Sequence, residues 1–169
     1  MLGIQSLNVF RIGALIAMYS FRAVAPQTSD GVSKGIPVPS RHYYKASAER
    51  PLAGARVSLK DIFDVQGIKT TLSSKAWSEL YSAATTSAAY VKHLLRLGAV
   101  IVGKTKTTQF ATAMEWVDFQ SPTNPRGDRY QEPSGSSTGA AASLAGYNWL
   151  DHAIGGDCEL QKRISRHRK

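Results

Sequence analysis

The sequence lacks most of the residues from which disulfide frameworks, metal clusters and membrane spans are built. Cys158 is the one cysteine in 169 residues, so an internal disulfide and a cysteine-based metal cluster are excluded. The N-terminal apolar run, residues 12–21, is too short to cross a bilayer. We therefore expect neither a bound metal nor a membrane-spanning segment, and the low cysteine content fits a reducing compartment.

Acidic residues are also few. The chain has 12 aspartates and glutamates against 21 lysines and arginines, a net charge of +9. The imbalance is strongest in residues 158–169, where five basic residues accompany Glu159 alone. A basic tail can bind nucleic acid or an anionic membrane. Because no aromatic residue lies among these charges to stack on bases, we expect a solvated, disordered tail and no nucleic-acid partner.

The N-terminal region allows two interpretations. The apolar run 12–21 follows Arg11 and precedes residues 23–25 (AVA), which resembles a weak signal peptide. However, Arg22 interrupts its end, and Pro26 stands where cleavage would leave the new terminus. We interpret the run as an N-terminal helix of a cytoplasmic protein and keep a targeting segment as the alternative.

The rest of the chain has the composition of a globular domain, with 43% hydrophobic and 20% charged residues. Residues 26–53 contain four prolines and two glycines, which is typical of a linker. We divide the chain into an N-terminal segment and linker (1–50), an ordered region (51–157) and the basic tail (158–169).

Hydrophobic periodicity predicts a parallel strand pair near the middle of the chain. Residues 55–61 alternate apolar and polar side chains, as in a half-buried strand. Residues 87–97 carry an apolar helical face and are followed by Gly98, a helix stop signal. Residues 99–102 form a short apolar strand. A strand, a helix and a second strand joined tightly predict a right-handed parallel crossover.

Five further segments are assigned from weaker signals. Their predictions are a loop and short helix at 69–85 with Trp77, Leu80 and Tyr81 against the core, a short helix at 107–114, a long loop at 116–135, a small-residue helix at 137–146, and a strand at 152–155.

A glycine- and serine-rich turn, residues 135–139 (GSSTG), precedes the small-residue helix. Glycines let backbone amides point inward, and the following helix N-terminus favours negative charge. The turn therefore suits a catalytic serine loop or a phosphate cradle, although it lacks the Gly-x-x-x-x-Gly-Lys-Ser/Thr spacing of the latter. A simple turn before a helix is the third interpretation.

Lys60 is the candidate base. It lies at the end of the predicted strand 55–61, where Leu59 and residues 61–63 allow its stem to be buried. Burial disfavours the ammonium form, so such a lysine can accept a proton. Taken alone, Lys60 could equally be a surface lysine at a strand end.

Together these motifs resemble the amidase signature family in order and spacing, over about residues 51–157. The matching segments are 55–65 (ARVSLKDIFDV), 98–111 (GAVIVGKTKTTQFA), the Ser136–Ser137 turn and 153–157 (AIGGD). Residues 124–128 (NPRGD) and 149–151 (WLD) look similar to fungal members. The resemblance implies an α/β fold, a partial amidase-signature fold whose mixed, mostly parallel and incomplete sheet is flanked by helices.

The resemblance also implies a reaction. In this family a serine attacks an amide carbonyl and forms an acyl-enzyme, which water hydrolyses without a metal or organic cofactor. The family's lysine corresponds to Lys60, and its bridging serine, which follows a cis peptide bond, corresponds to Ser136. Ser137, Gly155, Gly156 and Asp157 fall in the substrate and oxyanion region. The implied partner is a small-molecule amide.

The likeness stops after Asp157. The family continues with Thr-Gly-Gly-Ser, whereas this chain places Glu159 and Leu160 at the two glycines and Gln161 at the nucleophilic serine. An amide side chain is not nucleophilic, so we expect a truncated, inactive fragment with open sheet edges. A retained intron or a frameshift from about Cys158 is our hypothesis for the change. The alternative function is a non-catalytic interaction or RNA-associated protein that uses the scaffold or the basic tail.

Overall fold

The computed structural model of the chain describes residues 4–8, 22–23, 38–112, 115–128, 130–131 and 133–156. Its elements are β1 (Ile4–Asn8), β2 (Arg22–Ala23), β3 (Arg56–Lys60), α1 (Lys75–Leu80), α2 (Ala89–Arg96), β4 (Val100–Thr105), a 3₁₀ turn (Gln109–Ala111), α3 (Thr138–Gly146) and β5 (His152–Ile154). The strands of these ranges form one sheet in the order β2-β1-β4-β3-β5. β3 pairs in parallel with β4 and β5, whereas β1 runs antiparallel to β4 and β2. The predicted α/β class with a mixed sheet flanked by helices is confirmed.

The central strand β4 contributes to two apolar clusters because its side chains alternate between the faces of the sheet. Ile101 packs with the buried face of α2. Val100 and Val102 belong to the other cluster, which includes Ala140 of α3. Every residue of β4 is buried, as expected for a parallel strand covered on both faces.

The pairing of β3 with β4 contains one irregularity. Val57 lies opposite Ile101, but Ser58 lies opposite Gly103, so β4 carries one extra residue, Val102, at this point. Beyond the bulge, Lys60 lies opposite Thr105. An inserted residue of this kind shifts every following side chain relative to the partner strand.

Helix α2 forms where the sequence predicts it. Its residues Val91, Leu94 and Leu95 are buried against the sheet, while Tyr90 is 46% exposed at the edge of the apolar face. Gly98 follows with φ of +95°, and a Cβ at this position would lie 2.9 Å from the Ala53 Cα. Only glycine fits this close approach at a positive φ, so the helix ends here.

The prediction about the packing of α1 was wrong. Trp77, Leu80 and Tyr81 were expected against the core, but no residue of α1 is buried and Leu80 is 76% exposed. The ring of Trp77 contacts those of Tyr81 and Phe110 instead, with centroids 4.1 and 6.0 Å apart. The core face of the sheet on this side is covered by α2, and the six-residue α1 does not contribute to it.

The predicted helix at 107–114 is also wrong for the described part of that segment, which contains only the 3₁₀ turn. Phe110 has a φ of +53° inside the turn. Its N–H donates to the carbonyl of Leu72, 2.8 Å away. This bond to another segment takes the place of the bond that would continue a helix.

The N-terminal strand β1 was not predicted. It adds to the free edge of β4 through an antiparallel pairing of Ile4 with Thr105. The apolar run expected to form an N-terminal helix, and the tail 158–169, lie outside the described residues. Among the residues that the structure describes, no helix has the length and apolarity that a membrane span requires.

Candidate active site

The site lies at the carboxyl ends of the parallel strands, the edge where α/β sheets bind ligands. Lys60 is the last residue of β3, and the pair Gly155–Gly156 follows β5 directly. Ser136 comes two residues before α3 begins. The topology therefore brings together three segments that are far apart in the sequence.

Lys60 and Ser136 form the central contact. The Lys60 side chain is buried, with 1% of the residue exposed. Its Nζ donates to the Ser136 Oγ over 2.6 Å. The peptide bond between Gly135 and Ser136 is cis. An amine in direct contact with a hydroxyl can exchange a proton with it, which is the geometry that general acid–base chemistry needs.

The carbonyl of Ser136 is held from the other side by the segment that follows β4. It accepts a hydrogen bond from Thr107 Oγ1 at 2.9 Å and a longer one from the Thr108 N–H at 3.3 Å. Ser73 in turn donates to the Thr107 carbonyl. Sequence reasoning missed these residues. Their one available signal was the position of Thr107, two residues past the end of β4.

Gly139 fixes the start of α3 against this same segment. Its N–H donates to the Lys106 carbonyl over 2.9 Å. A Cβ on Gly139 would lie 2.5 Å from the backbone nitrogen and oxygen of Lys106. The small residues predicted to let this helix approach its neighbours therefore do so at Gly139, and the approach places the turn that carries Ser136.

The predicted oxyanion region is described in part. The Gly156 N–H donates to the Ser137 Oγ over 3.1 Å, so β5 and the serine turn are joined directly. A Cβ on Gly156 would lie 3.2 Å from Lys60 Nζ and 3.3 Å from Ile62 Cδ1. Glycine at this position keeps space open beside the lysine. Asp157 and Gln161 lie outside the described residues.

A second buried lysine stands behind the site. Lys104 Nζ lies 3.3 Å from Asp61 Oδ1, and both side chains are at most 5% exposed. This Asp61 oxygen has no aligned hydrogen bond among the described residues, so the contact is an ion pair. Burial lowers the pKa of Lys104 from its ordinary value, and the attraction of Asp61 offsets only part of the effect.

Asp61 also shapes the loop beside Lys60. Its Oδ2 accepts hydrogen bonds from Thr71 Oγ1 and from the N–H groups of Thr71 and Leu72, at 2.7 to 2.9 Å. Within the described ranges, no group of three or more His, Cys, Asp or Glu side chains could hold a metal ion. The described groups around Lys60 are thus amines, hydroxyls, backbone amides and the carboxylate of Asp61.

Comparisons with known proteins identify the family of the chain. The family model named Amidase matches residues 39–159, which is more than half of the chain. Amidase 1 of Arabidopsis thaliana is 36% identical over 122 residues, 70% of this chain and 28% of that protein. The translocon at the outer membrane of chloroplasts 64 from Pisum sativum is 33% identical over 119 residues, 69% of this chain and 20% of that protein.

A solved structure gives the same result at the level of the fold. The structure of 6-aminohexanoate cyclic dimer hydrolase superposes with a TM-score of 0.53 at 30% identity, over 57% of this chain and 20% of that one. The chain thus spans between 20% and 28% of the length of these relatives. Family match, shared fold and the arrangement around Lys60 lead to one conclusion: this chain belongs to the amidase family.

Proposed function

We propose that Lys60 and Ser136 form the proton relay of a Ser–Ser–Lys amidase site. The observation that carries this proposal is the 2.6 Å contact between the buried Lys60 Nζ and the Ser136 Oγ. The relay serves hydrolysis of the C–N bond of a small carboxamide. In this role Ser136 passes protons between Lys60 and a nucleophilic serine, as a histidine does in other hydrolases.

The chemistry assigned to this pair begins with acylation. A nucleophilic serine attacks the amide carbonyl and loses its proton through Ser136 to Lys60. The C–N bond then breaks, and the same proton returns to the leaving amine. Water hydrolyses the acyl-enzyme by the reverse route. Backbone amides at the turn after Gly156 would stabilise the oxyanion.

The chain itself is proposed to be inactive because its nucleophile position holds Gln161. A carboxamide side chain cannot attack a carbonyl at a useful rate, and the preceding Glu159 and Leu160 replace residues that a tight turn requires as glycine. The relay would then be present without the group that it activates.

A triple substitution tests both parts of the proposal. The unmodified chain should not hydrolyse 4-nitroacetanilide. Glu159→Gly/Leu160→Gly/Gln161→Ser should show a burst of nitrophenol from 4-nitrophenyl acetate, one equivalent per protein. Adding Lys60→Ala or Ser136→Ala should slow this acylation by roughly 10²- to 10⁴-fold.

Lys92→Ala in the triple background is the matched control, because Lys92 is exposed on α2. It should leave the burst unchanged. A burst of equal rate with and without Lys60 would reject the relay. Amide turnover by the unmodified chain, lost in Lys60→Ala, would instead reject the proposed inactivity.

A further inference from the structure

A cavity of about 440 Å³ has one lining residue, Ile62, in common with the surroundings of Lys60. Ile62 lines the cavity. Its Cδ1 lies 3.3 Å from the point that a Cβ on Gly156 would occupy, and the Lys60 Nζ lies 3.2 Å from the same point. A substituent bound in the cavity would therefore reach the proposed relay past the Ile62 side chain. Its volume is that of a pocket for a small organic substituent.

We infer that this cavity is a subsite for a positively charged substituent on an apolar stem of the amide substrate. The inference rests on the proposed function for the position of the scissile amide. The cavity's own lining gives the chemical class of the substituent.

One wall of the cavity is aromatic. Trp77 and Tyr81 line it with ring centroids 4.1 Å apart. Leu72 and Ile62 complete the apolar surface. Tyr81 is 47% exposed, so its ring is available to a ligand. Aromatic faces bind both apolar groups and cations, the latter through the negative potential of the ring.

The charge of the cavity selects between these. Asp64 is the one charged side chain among the described residues that line it. Its Oδ1 accepts a hydrogen bond from Thr70 Oγ1 at 2.6 Å, which fixes the carboxylate and leaves the second oxygen for a ligand. Two aromatic rings and a carboxylate together bind an ammonium group most favourably. A neutral group binds less favourably, and an anion is repelled by the carboxylate.

Lys104 does not cancel this preference. It donates to Thr70 Oγ1 over 2.9 Å and is buried behind the cavity. Its Nζ lies 3.3 Å from Asp61 Oδ1, and Asp61 attracts it more strongly than Asp64 does. Asp64 is exposed and faces the cavity with its negative charge.

Three benzamides that differ only in the para substituent test the inference by binding alone. They are 4-(aminomethyl)benzamide, 4-(hydroxymethyl)benzamide and 4-carboxybenzamide, titrated at neutral pH and low salt while the backbone amide signals of residues 81–86 are followed by NMR. The ammonium compound should bind roughly tenfold more tightly than the hydroxymethyl compound, and the carboxylate most weakly. Equal affinities for the three compounds in the unmodified chain would overturn the inference without any substitution.

Substitutions then assign the preference to residues. Asp64→Asn keeps an oxygen that can accept the hydrogen bond from Thr70. This variant should bind the ammonium compound no more tightly than the neutral hydroxymethyl compound. Tyr81→Leu should lower the preference for the ammonium compound in part. Asp128→Asn, at an exposed loop position, should change nothing. Lys60→Ala should leave the preference intact, so failure of the relay and failure of the subsite are distinguished. A preference that survives Asp64→Asn, or that disappears in Lys60→Ala, would reject the subsite.

Discussion

At the scale of single residues, two buried lysines on neighbouring strands have different partners. Lys60 donates to a hydroxyl, whereas Lys104 faces the carboxylate of Asp61. An ion pair neutralises Lys104 locally and suits a structural role. Lys104 also donates to the Thr70 hydroxyl, but its ion pair with Asp61 stabilises the charged form. The proposed proton exchange therefore belongs to Lys60 and its contact with Ser136.

Two lysines with lowered pKa values, Lys104 and Lys106, make the stability depend on pH. Burial lowers the pKa of Lys104 and of Lys106 below the 10.5 expected for the unfolded chain. The folded state then binds fewer protons than the unfolded state as the pH approaches 10.5, so the free energy of unfolding should rise with pH. Urea unfolding between about pH 8 and 9.5 measures this, below the pH at which tyrosines ionise.

Lys104→Met should remove much of this rise, whereas Lys92→Met, at an exposed position, should retain it. Tyr147 opposes the trend only at higher pH, because burial raises the pKa of its hydroxyl and ionisation then favours the unfolded chain. A free energy of unfolding that falls between pH 8 and 9.5 would contradict the prediction.

At the scale of elements, the position of α3 depends on one close approach. Gly139 touches the backbone of Lys106 with no room for a side chain. Gly139→Ala should therefore lower the free energy of unfolding by about 1–3 kcal/mol, although alanine is the better helix former. Thermal or urea denaturation measures the change.

Gly127→Ala is the control for this substitution. A Cβ on Gly127 meets only the side chain of Asn124, at 3.3 Å or more, in an exposed turn, so its effect should stay within about 0.5 kcal/mol. The displaced helix of Gly139→Ala should also shift the NMR signals of Ser136 and Lys60. Equal stability of the two alanine variants would show that α3 adjusts without cost.

Local sequence patterns were sufficient for α2, β3 and β4, because each carries its own periodicity or stop signal, whereas α3 and β5 were predicted from weaker signals. Gly98, for example, marks the end of α2 in the sequence and in the structure. The contact of Lys60 with Ser136 was expected from the family resemblance. Periodicity could not have supplied it, since 76 positions separate the two residues.

Other features depend on contacts that no local pattern records. The hydrogen bond from Thr107 Oγ1 to the Ser136 carbonyl forms only once β4 and the serine turn are in place. The ion pair of Asp61 with Lys104 depends on the pairing of β3 with β4. The exposure of Leu80 reflects the absence of a facing element among the described residues, which its apolar side chain alone does not reveal.

At the scale of the whole molecule, β5 lies at the edge of the sheet that the described residues form. The Asp151 N–H donates to the Arg56 carbonyl of β3. Because successive residues of a strand direct their backbone groups to opposite sides, the N–H and C=O of His152 point away from β3. Unpaired edge groups invite pairing with another chain. The weight-average mass in sedimentation equilibrium should therefore rise with protein concentration.

His152→Lys should reduce this association, since a charged edge residue disfavours strand pairing and the His152 side chain is exposed. Gln120→Lys adds the same charge at another exposed position and should leave association as in the unmodified chain. Monomeric protein at all concentrations, or equal effects of both substitutions, would show that this edge is not the contact.

The bulge in β4 determines how Lys60 and Lys104 are placed relative to each other. If Val102 had paired with Ser58 and formed no bulge, the register of Val57 with Ile101 would have continued and set Lys104 directly across from Lys60. Two ammonium groups side by side would repel one another. The bulge places Lys104 opposite Leu59 and Lys60 opposite Thr105, so neighbouring strands can hold the proposed proton carrier Lys60 and the ion-paired Lys104 without setting two ammonium groups directly across from each other.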